Sequence, residues 1–587
     1  MIAPGAYDSS ETTLDSFVHV RNLGLILCLV LGFTLPFSSK AIHIDDVYFV
    51  EVAQNVRSNP LRPFAGAVAL EDIDYRVFAE RKQCPNTFDA MAHPPLVPYA
   101  IAAITAASGG IHERPLHLGF TLFALLAATA MYDLSRRFTA RPLEAALFLV
   151  SAPIFLLCAG SLMTDMPALA LSLSGLALFV RGVDAARPAH VCAAGFLIGL
   201  AVLTRYSTLG MIPLLVVYAQ AKGRWRAVLP ALGATGLVLA VWAAQNLVVH
   251  GALHVVAGAT HYLRFFEGQS FDALSLVKKT LADGAALGGT GFAAAGLLLL
   301  TRTRQRVLVF GLALLAACVL FVLRPQGIER LSAYSATEVL AVSGCFAAGT
   351  LLAVEAFRCA REEASSRAEP GRPPDALFLA CWLAIGLFGA IFFLPFGAAR
   401  YVLPVLPPLG ILLVRRWQQG GGFLARLAPA LIVLQGFGLG GVLGLADAEL
   451  ADRYRRVALQ VRHDHPQRRV WFVGEWGFRH YMGTVGGRYL RSQDESPDVG
   501  DLIVRPFIAG MHEISPNVRS RAVRVQVIPL RSRWPIRLMS FDARAGYYSH
   551  HWGYLPWAPS HAPLETIEIF EVRAPAPPPP PDPCAYS

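Results

Sequence analysis

The chain has 587 residues, 54% of them hydrophobic and only 16% charged, where soluble domains carry about 25% charged residues. Those proportions exclude a string of soluble domains, a disordered chain, a fibrous repeat and a disulfide-stapled module, and they leave a polytopic membrane protein. The balance of 51 Lys+Arg against 41 Asp+Glu gives a net charge of +10, but the basic residues sit in short clusters between apolar runs. That is the pattern of cytoplasmic loops, not of nucleic-acid binding.

A membrane span needs about 20 mostly apolar residues. The first apolar run, 21–38, follows an acidic, Ser/Thr-rich leader without a convincing cleavage site and reads as a span. Further runs follow at 116–135, 143–160, 166–181, 190–204, 206–220, 227–247, 283–300, 307–323, 336–356, 376–394, 402–414 and 424–446. Arginine and lysine clusters fall at every second junction, at Arg136/Arg137/Arg141, Arg181/Arg187, Lys222/Arg224/Arg226, Arg302/Arg304/Arg306, Arg358/Arg361/Arg367/Arg372 and Arg415/Arg416. One topology places all of them inside: residues 1–20 cytoplasmic, about thirteen spans over 21–446, and everything beyond outside. The run 96–109 is too short to cross and would invert every later basic loop, so it is expected to lie in the plane of the outer face. Residues 40–115 then form one large external loop, and shorter external segments surround Asp165 and occupy 248–282 and 395–401.

From 450 to 572 the composition changes to short β-type runs, RVWFVGEW, DLIVRPF, RAVRVQVIPL and TIEIFEV, separated by Gly, Pro and charged turns. This segment is expected to be a soluble α/β or mostly-β external domain, and the Pro-rich tail 573–587 a disordered end. Of nine cysteines, six lie in or beside apolar runs, and no CxxC or zinc-type Cys/His spacing occurs.

The residues that stand out chemically are those that apolar surroundings tolerate least. Asp45 and Asp46 leave the first span in HIDDVYFVEVAQNV, and Asp165 opens another apolar run in SLMTDMPALA. One reading makes each a helix cap or interfacial acid. The other makes it a carboxylate at the membrane boundary, where a water-soluble nucleophile meets a lipid-carried electrophile. Arg205 (AVLTRYSTLGM), Arg264 (HYLRFFEG) and Arg400 (GAARYVLPVLPPL, with Tyr401 beside it) fall on the expected outer side. They are either snorkelling cations or, gathered beside the acids, a phosphate site. His93 precedes Pro94 and Pro95, and alone reads as an ordinary loop histidine.

In chain order these positions carry a resemblance. An acidic pair after the first span is followed by His93-Pro-Pro-Leu, Thr164-Asp165-x-Pro, Thr204-Arg205, His261-x-x-Arg264-Phe, and Arg400-Tyr401-x-x-Pro-x-x-Pro-Pro. Over about 20–445 the chain resembles the GT-C membrane glycosyltransferases, in particular the group of protein O-mannosyltransferases and the bacterial aminoarabinose transferase of lipid A. The resemblance implies inverting transfer of a sugar from a polyprenyl-phosphate donor to a lipid, glycan or protein acceptor on the outer face of a bacterial inner membrane. Asp45 would be the general base, with Asp46 and Asp165 beside it, and His93, Arg205, His261, Arg264, Arg400 and Tyr401 would hold the donor phosphate. His93 departs from the pattern, since many relatives have Lys there and a neutral imidazole is the weaker phosphate partner. No cofactor is expected. A divalent metal is not required, although His93 and His261 offer two ligands. The rival readings are a secondary transporter, for which no paired broken helices in related halves are evident, and a non-catalytic envelope assembly protein.

Overall fold

The computed structural model describes residues 9–64, 93–257, 272–301, 303–323, 334–366, 375–419, 422–490, 497–510 and 514–574. Helix α1 (Ser9–Thr34) leads into the first loop, which carries α2 (Asp46–Ser58) and α3 (Leu96–Ala107). The bundle continues through α4 (Glu113–Phe138), the pair α5 (Pro142–Val150) and α6 (Pro153–Ala159), α7 (Asp165–Asp184), α8 (Pro188–Val202), α9 (Met211–Ala221) and α10 (Val228–His250). It closes with α11 (Ala273–Thr290), α12 (Phe292–Leu300), α13 (Arg304–Leu323), α14 (Ala336–Ser366), α15 (Asp375–Phe388), α16 (Leu406–Gln419) and α17 (Phe423–Asp464).

Among the described residues, eight helices are long and apolar enough to cross a membrane, or up to ten if the bent pairs α5–α6 (62°) and α11–α12 (76°) each count as one span. Proline opens α5, α6 and α8, where its missing N–H costs nothing. Thirteen full-length spans are not seen among the described residues. The expected spans 190–204, 206–220 and 402–414 correspond to helices of 15, 11 and 14 residues. Helix α16 is buried along its whole apolar stretch from Leu406 to Val414, so its hydrophobicity answers to neighbouring helices rather than to bilayer thickness. The run expected to lie in-plane forms α3, 12 residues long and far short of a span. By contrast Leu308, Leu312 and Leu315 of α13 are each more than half exposed, a surface that water would not tolerate and lipid does. The chain is a polytopic helical membrane protein.

Small residues set the closest helix approach. Gly284 and Gly288, four apart on α11, meet Gly349 and the Cys345 carbonyl of α14 with no room for a Cβ on either side. This is the small-xxx-small contact of membrane helices. It matters because α11 presents Asp283 and Lys279 to the segment that carries Arg400.

The expected boundary near 450 falls inside one helix, since α17 runs unbroken for 42 residues from the bundle into the C-terminal domain. That domain contains a five-stranded mixed sheet. Each of the four β-type runs supplies a strand: β1 (Val470–Phe472), β3 (Leu502–Pro506), β4 (Ala522–Leu530) and β5 (Glu565–Val572); β2 (Arg488–Tyr489) completes the order β2-β1-β3-β5-β4. Strand β1 is parallel to β2 and β3, whereas β5 is antiparallel to β3 and β4. With α18 (Trp476–Thr484) between β1 and β2, the α/β alternative is the one realised. Most of the tail, 575–587, lies outside the described residues.

The glycine contact yields a paired test. Gly288→Ala places a methyl against backbone and should cost about 1–3 kcal/mol. Gly296→Ala in α12, with nothing within 4 Å of the new Cβ, should be neutral or gain up to about 1 kcal/mol from helix propensity. Thermal unfolding of both variants in detergent checks the pair, and equal melting temperatures would show that α11 and α14 do not pack through backbone.

Candidate active site

Two acids stand side by side at the start of α2 and serve different ends. Asp45 occupies the N-cap position, yet its side chain makes no capping bond. Its carboxylate instead accepts from Arg400 Nη2 at 3.2 Å and keeps 34% of its side-chain surface exposed. Asp46 is fully buried, its Oδ1 accepting the Leu162 amide at 2.9 Å. Its Oδ2 is buried with no hydrogen-bond partner. The residue before the pair, Ile44, sits at φ +46°, a conformation a β-branched residue adopts only under constraint.

Asp165 opens α7, where the helix macrodipole favours a carboxylate, and does not act as a side-chain cap. It pairs with Arg205, which stands at the end of α8 just before a short 3-10 turn, and both groups are buried. Tyr401 lies between the two arginines, its ring 4.8 Å from the Arg205 guanidinium and 5.2 Å from that of Arg400. The Arg400 side chain also touches Met163 Sδ, and its Nε is buried with no hydrogen-bond partner. Behind these groups lies a crevice of about 100 Å³ whose lining joins Asp165, Arg205, Arg400 and Tyr401 to apolar side chains such as Leu169 and Trp382. His93 stacks on Phe49 at 6.2 Å. Burial, reinforced by the charges of Arg205 and Arg400, pushes its imidazole well below the ordinary histidine range, so it is neutral at pH 7. Thus the structure brings together Asp45, Asp46, His93, Asp165, Arg205, Arg400 and Tyr401, from five separate segments. His261 and Arg264 lie outside the described residues. Among the described residues no cluster of three His, Cys, Asp or Glu has metal-binding geometry.

Beneath the acid pair lies a second set of groups that the sequence reading passed over. Lys40 Nζ meets Asp447 Oδ2 at 2.5 Å and donates to the Gly160 carbonyl at 3.1 Å. Asp447 Oδ1 accepts from the Tyr548 hydroxyl at 2.7 Å and lies 3.5 Å from His43 Nε2. All four side chains are buried. The C-terminal domain also supplies Glu475, which accepts from the Tyr48 hydroxyl at 3.1 Å, and Arg479, which faces Glu51 at 3.7 Å. One signal for Asp447 was available: it is the first acid of the apolar run GVLGLADAEL, and such an acid requires a partner.

Comparison with known proteins gives a partial match. Residues 92–247 match the family model of dolichyl-phosphate-mannose-protein mannosyltransferases. No curated protein matches the chain in sequence. Similar solved structures include the Archaeoglobus fulgidus oligosaccharyltransferase in complex with Zn and sulfate, at 14% identity and TM-score 0.45, covering 80% of this chain and 62% of that one. AglB from the same organism, in complex with an inhibitory peptide and a dolichol-phosphate, aligns at 14% identity and TM-score 0.47, over 81% and 64%. ArnT from Cupriavidus metallidurans bound to undecaprenyl phosphate aligns at 15% and 0.38, over 84% and 93%. The chain thus spans less than two thirds of the length of the archaeal enzymes. The family match agrees with the resemblance to GT-C membrane glycosyltransferases noted from the motifs.

Burial of Asp46 has a measurable consequence. Desolvation pushes its carboxyl up from 3.8 to about 7, against the pull of Lys40 and the Leu162 amide. The native state therefore holds a proton that the unfolded chain releases near pH 4, and stability falls as pH rises between those two values. Asp46→Asn should match the unaltered protein at about pH 4 and exceed it in melting temperature at about pH 8. A gap that does not change with pH would mean that the carboxyl is not held neutral.

Proposed function

We propose that the chain is an inverting glycosyltransferase that moves a sugar from a polyprenyl-phosphate carrier to a hydroxyl or amine of a glycan, lipid or protein acceptor. The observation that carries this reading is the meeting of two carboxylate–guanidinium pairs, Asp45–Arg400 and Asp165–Arg205, around Tyr401 at the polar end of an apolar crevice. A sugar linked to a lipid phosphate has matching parts: an anion for the arginines, an apolar chain for the crevice, and an anomeric carbon within reach of a carboxylate. The family-model match spans His93, Asp165 and Arg205 and supports the same reading. The alternation of basic loops supports a site on the external face, which in a bacterial inner membrane is the periplasmic side.

The chemistry follows from exposure. Asp45 is reachable and Asp46 is not, so Asp45 takes the proton of the acceptor hydroxyl or amine. The acceptor atom bonds to the anomeric carbon from the face opposite the phosphate, and the carbon–oxygen bond to phosphate breaks, its electron pair leaving on the phosphate oxygen. Arg205 and Arg400 stabilise the charge gained there. A bound donor draws Arg400 away from Asp45, which leaves that carboxylate free as a base only when there is something to transfer. Phosphate is already a competent leaving group, so positioning and charge stabilisation supply most of the effect, and the step calls for no cofactor.

Incubating the purified protein with a panel of radiolabelled lipid-phosphate sugars tests the reaction directly. Asp45→Asn should lower transfer by about 10²–10⁴-fold while donor affinity stays near normal. Arg205→Ala and Arg400→Ala should weaken donor binding and slow transfer together, and the Lys variants should restore only part, because a point charge replaces a bidentate fork. Melting temperatures measured on the same samples separate loss of a phosphate partner from loss of a structural ion pair. Unchanged donor affinity in both Ala variants would reject the phosphate site.

A further inference from the structure

Three contacts tie the C-terminal domain to the loops that carry the site. At the first, the Tyr481 hydroxyl of α18 accepts the Ile42 amide at 2.8 Å and donates to Glu113 at 2.9 Å, while Gly477 lies so close to the Ile42 carbonyl that no Cβ fits. At the second, the Tyr548 hydroxyl reaches Asp447, which holds Lys40; the Lys40 carbonyl in turn accepts from His117 Nε2 at 3.0 Å if that nitrogen is protonated. Residues 40–46 are thereby fixed just before Asp45. At the third, Ala399 N donates to the Tyr547 carbonyl and His550 N to the Gly397 carbonyl, both at 2.9 Å, and Gly397 N donates to His550 Nδ1 at 3.0 Å. From the opposite side Asp283 accepts the Ala398 amide at 3.1 Å and Lys279 donates to the Leu394 carbonyl at 3.0 Å. Residues 394–401, which carry Arg400 and Tyr401, are thus gripped between α11 and the domain.

A soluble domain that merely hung from the bundle would meet it through an exposed polar rim. Here a tyrosine hydroxyl enters a buried charge cluster, and the neighbouring residues Tyr547 and Tyr548 grip the two different loops. Burying Lys40 and Asp447 together adds little stability, because desolvation offsets attraction. What a buried pair with three directional partners supplies is one fixed arrangement.

We propose that the C-terminal domain is a working part of the transfer site, with Tyr548, Asp447 and Lys40 as positioning residues for Asp45 and His550 as the positioning residue for Arg400. The inference rests on the glycosyl-transfer reading for its kinetic consequence, but not for its structural one. The partner that closes the site is thus the chain's own external domain, and the spacing between base and phosphate-binding arginine is set from outside the bilayer.

The test uses the full-length protein in detergent, with Tyr548→Phe and His550→Ala as variants. Tyr548→Phe removes one hydroxyl without changing a charge, and His550→Ala acts on the other loop, so either variant remains informative if one fails to fold. Backbone hydrogen exchange should rise about tenfold or more over 40–46 in the first and over 394–401 in the second, with β1, β3 and β5 unchanged. For Tyr548→Phe, kcat should fall about tenfold or more at nearly constant donor KM, since misplacement of a base affects the transition state rather than binding. For His550→Ala, donor KM should rise as well, because Arg400 meets the phosphate in both states. Unchanged exchange in both loops, or loosened loops with unaltered kinetics, would overturn the proposal. Failure of the unaltered protein to transfer any sugar would count against the reaction alone, because the exchange pattern decides the coupling independently.

Discussion

A charge at the edge of a bilayer must find a counter-charge, and in this chain the partners come from far away. Arg205 meets Asp165 across 40 residues, but Arg400 meets Asp45 across 355 and Lys40 meets Asp447 across 407. An isolated charge in that environment is expensive, and loss of one partner from a buried pair costs about 3–5 kcal/mol. The pairs are therefore poor sources of net stability and strong sources of specificity. They leave one way for the first loop, the segment before α16 and the middle of α17 to come together. That convergence is the candidate site, so the rule that closes the fold also collects the chemistry.

The glycine contacts and the charge pairs act at different ranges. Gly284, Gly288 and Gly349 bring two helices to backbone contact over a few ångströms, which fixes where Asp283 and Lys279 stand. The ion pairs then select among the remaining arrangements of the loops. Ile44 takes a left-handed conformation immediately before Asp45. Its side chain is buried, so packing holds the backbone where local preference would not.

Much of this was legible from residue types alone. An acid pair after an apolar run, an acid opening another, and arginines embedded in apolar sequence all violate local preference, and the structure assembles the described members of that set around Tyr401. The four β-type runs were equally legible, because alternation and β-branched residues reveal strands without knowledge of their order. What was not legible has physical reasons. Helix length escaped because the apolar stretch of α16, Leu406 to Val414, is buried within protein, and composition cannot distinguish protein from lipid as the apolar surroundings. No residue marks where α17 passes from the bundle into the C-terminal domain, because its hydrogen bonds continue unbroken. Lys40 and Tyr548 escaped because each is unremarkable beside its own neighbours. Only contact across most of the chain makes Tyr548 a partner of Asp447, and local periodicity contains nothing about it.

The unbroken course of α17 makes the two halves of the protein share a rotational phase. A 42-residue helix is a rod about 63 Å long at 1.5 Å per residue, and each residue advances it by about 100°. A flexible tether would let a domain find its seat whatever the tether length. Along this rod, one residue inserted between Asp447 and Asp464 would turn the sheet by more than a quarter revolution relative to the membrane helices, carrying Tyr481, Tyr547 and Tyr548 out of register with their loops at once. Tolerance to insertion should therefore recur with the helical period, returning near three or four residues rather than rising smoothly with length. In this segment the residue count is as constrained as the buried side chains of Asp447 and Tyr454.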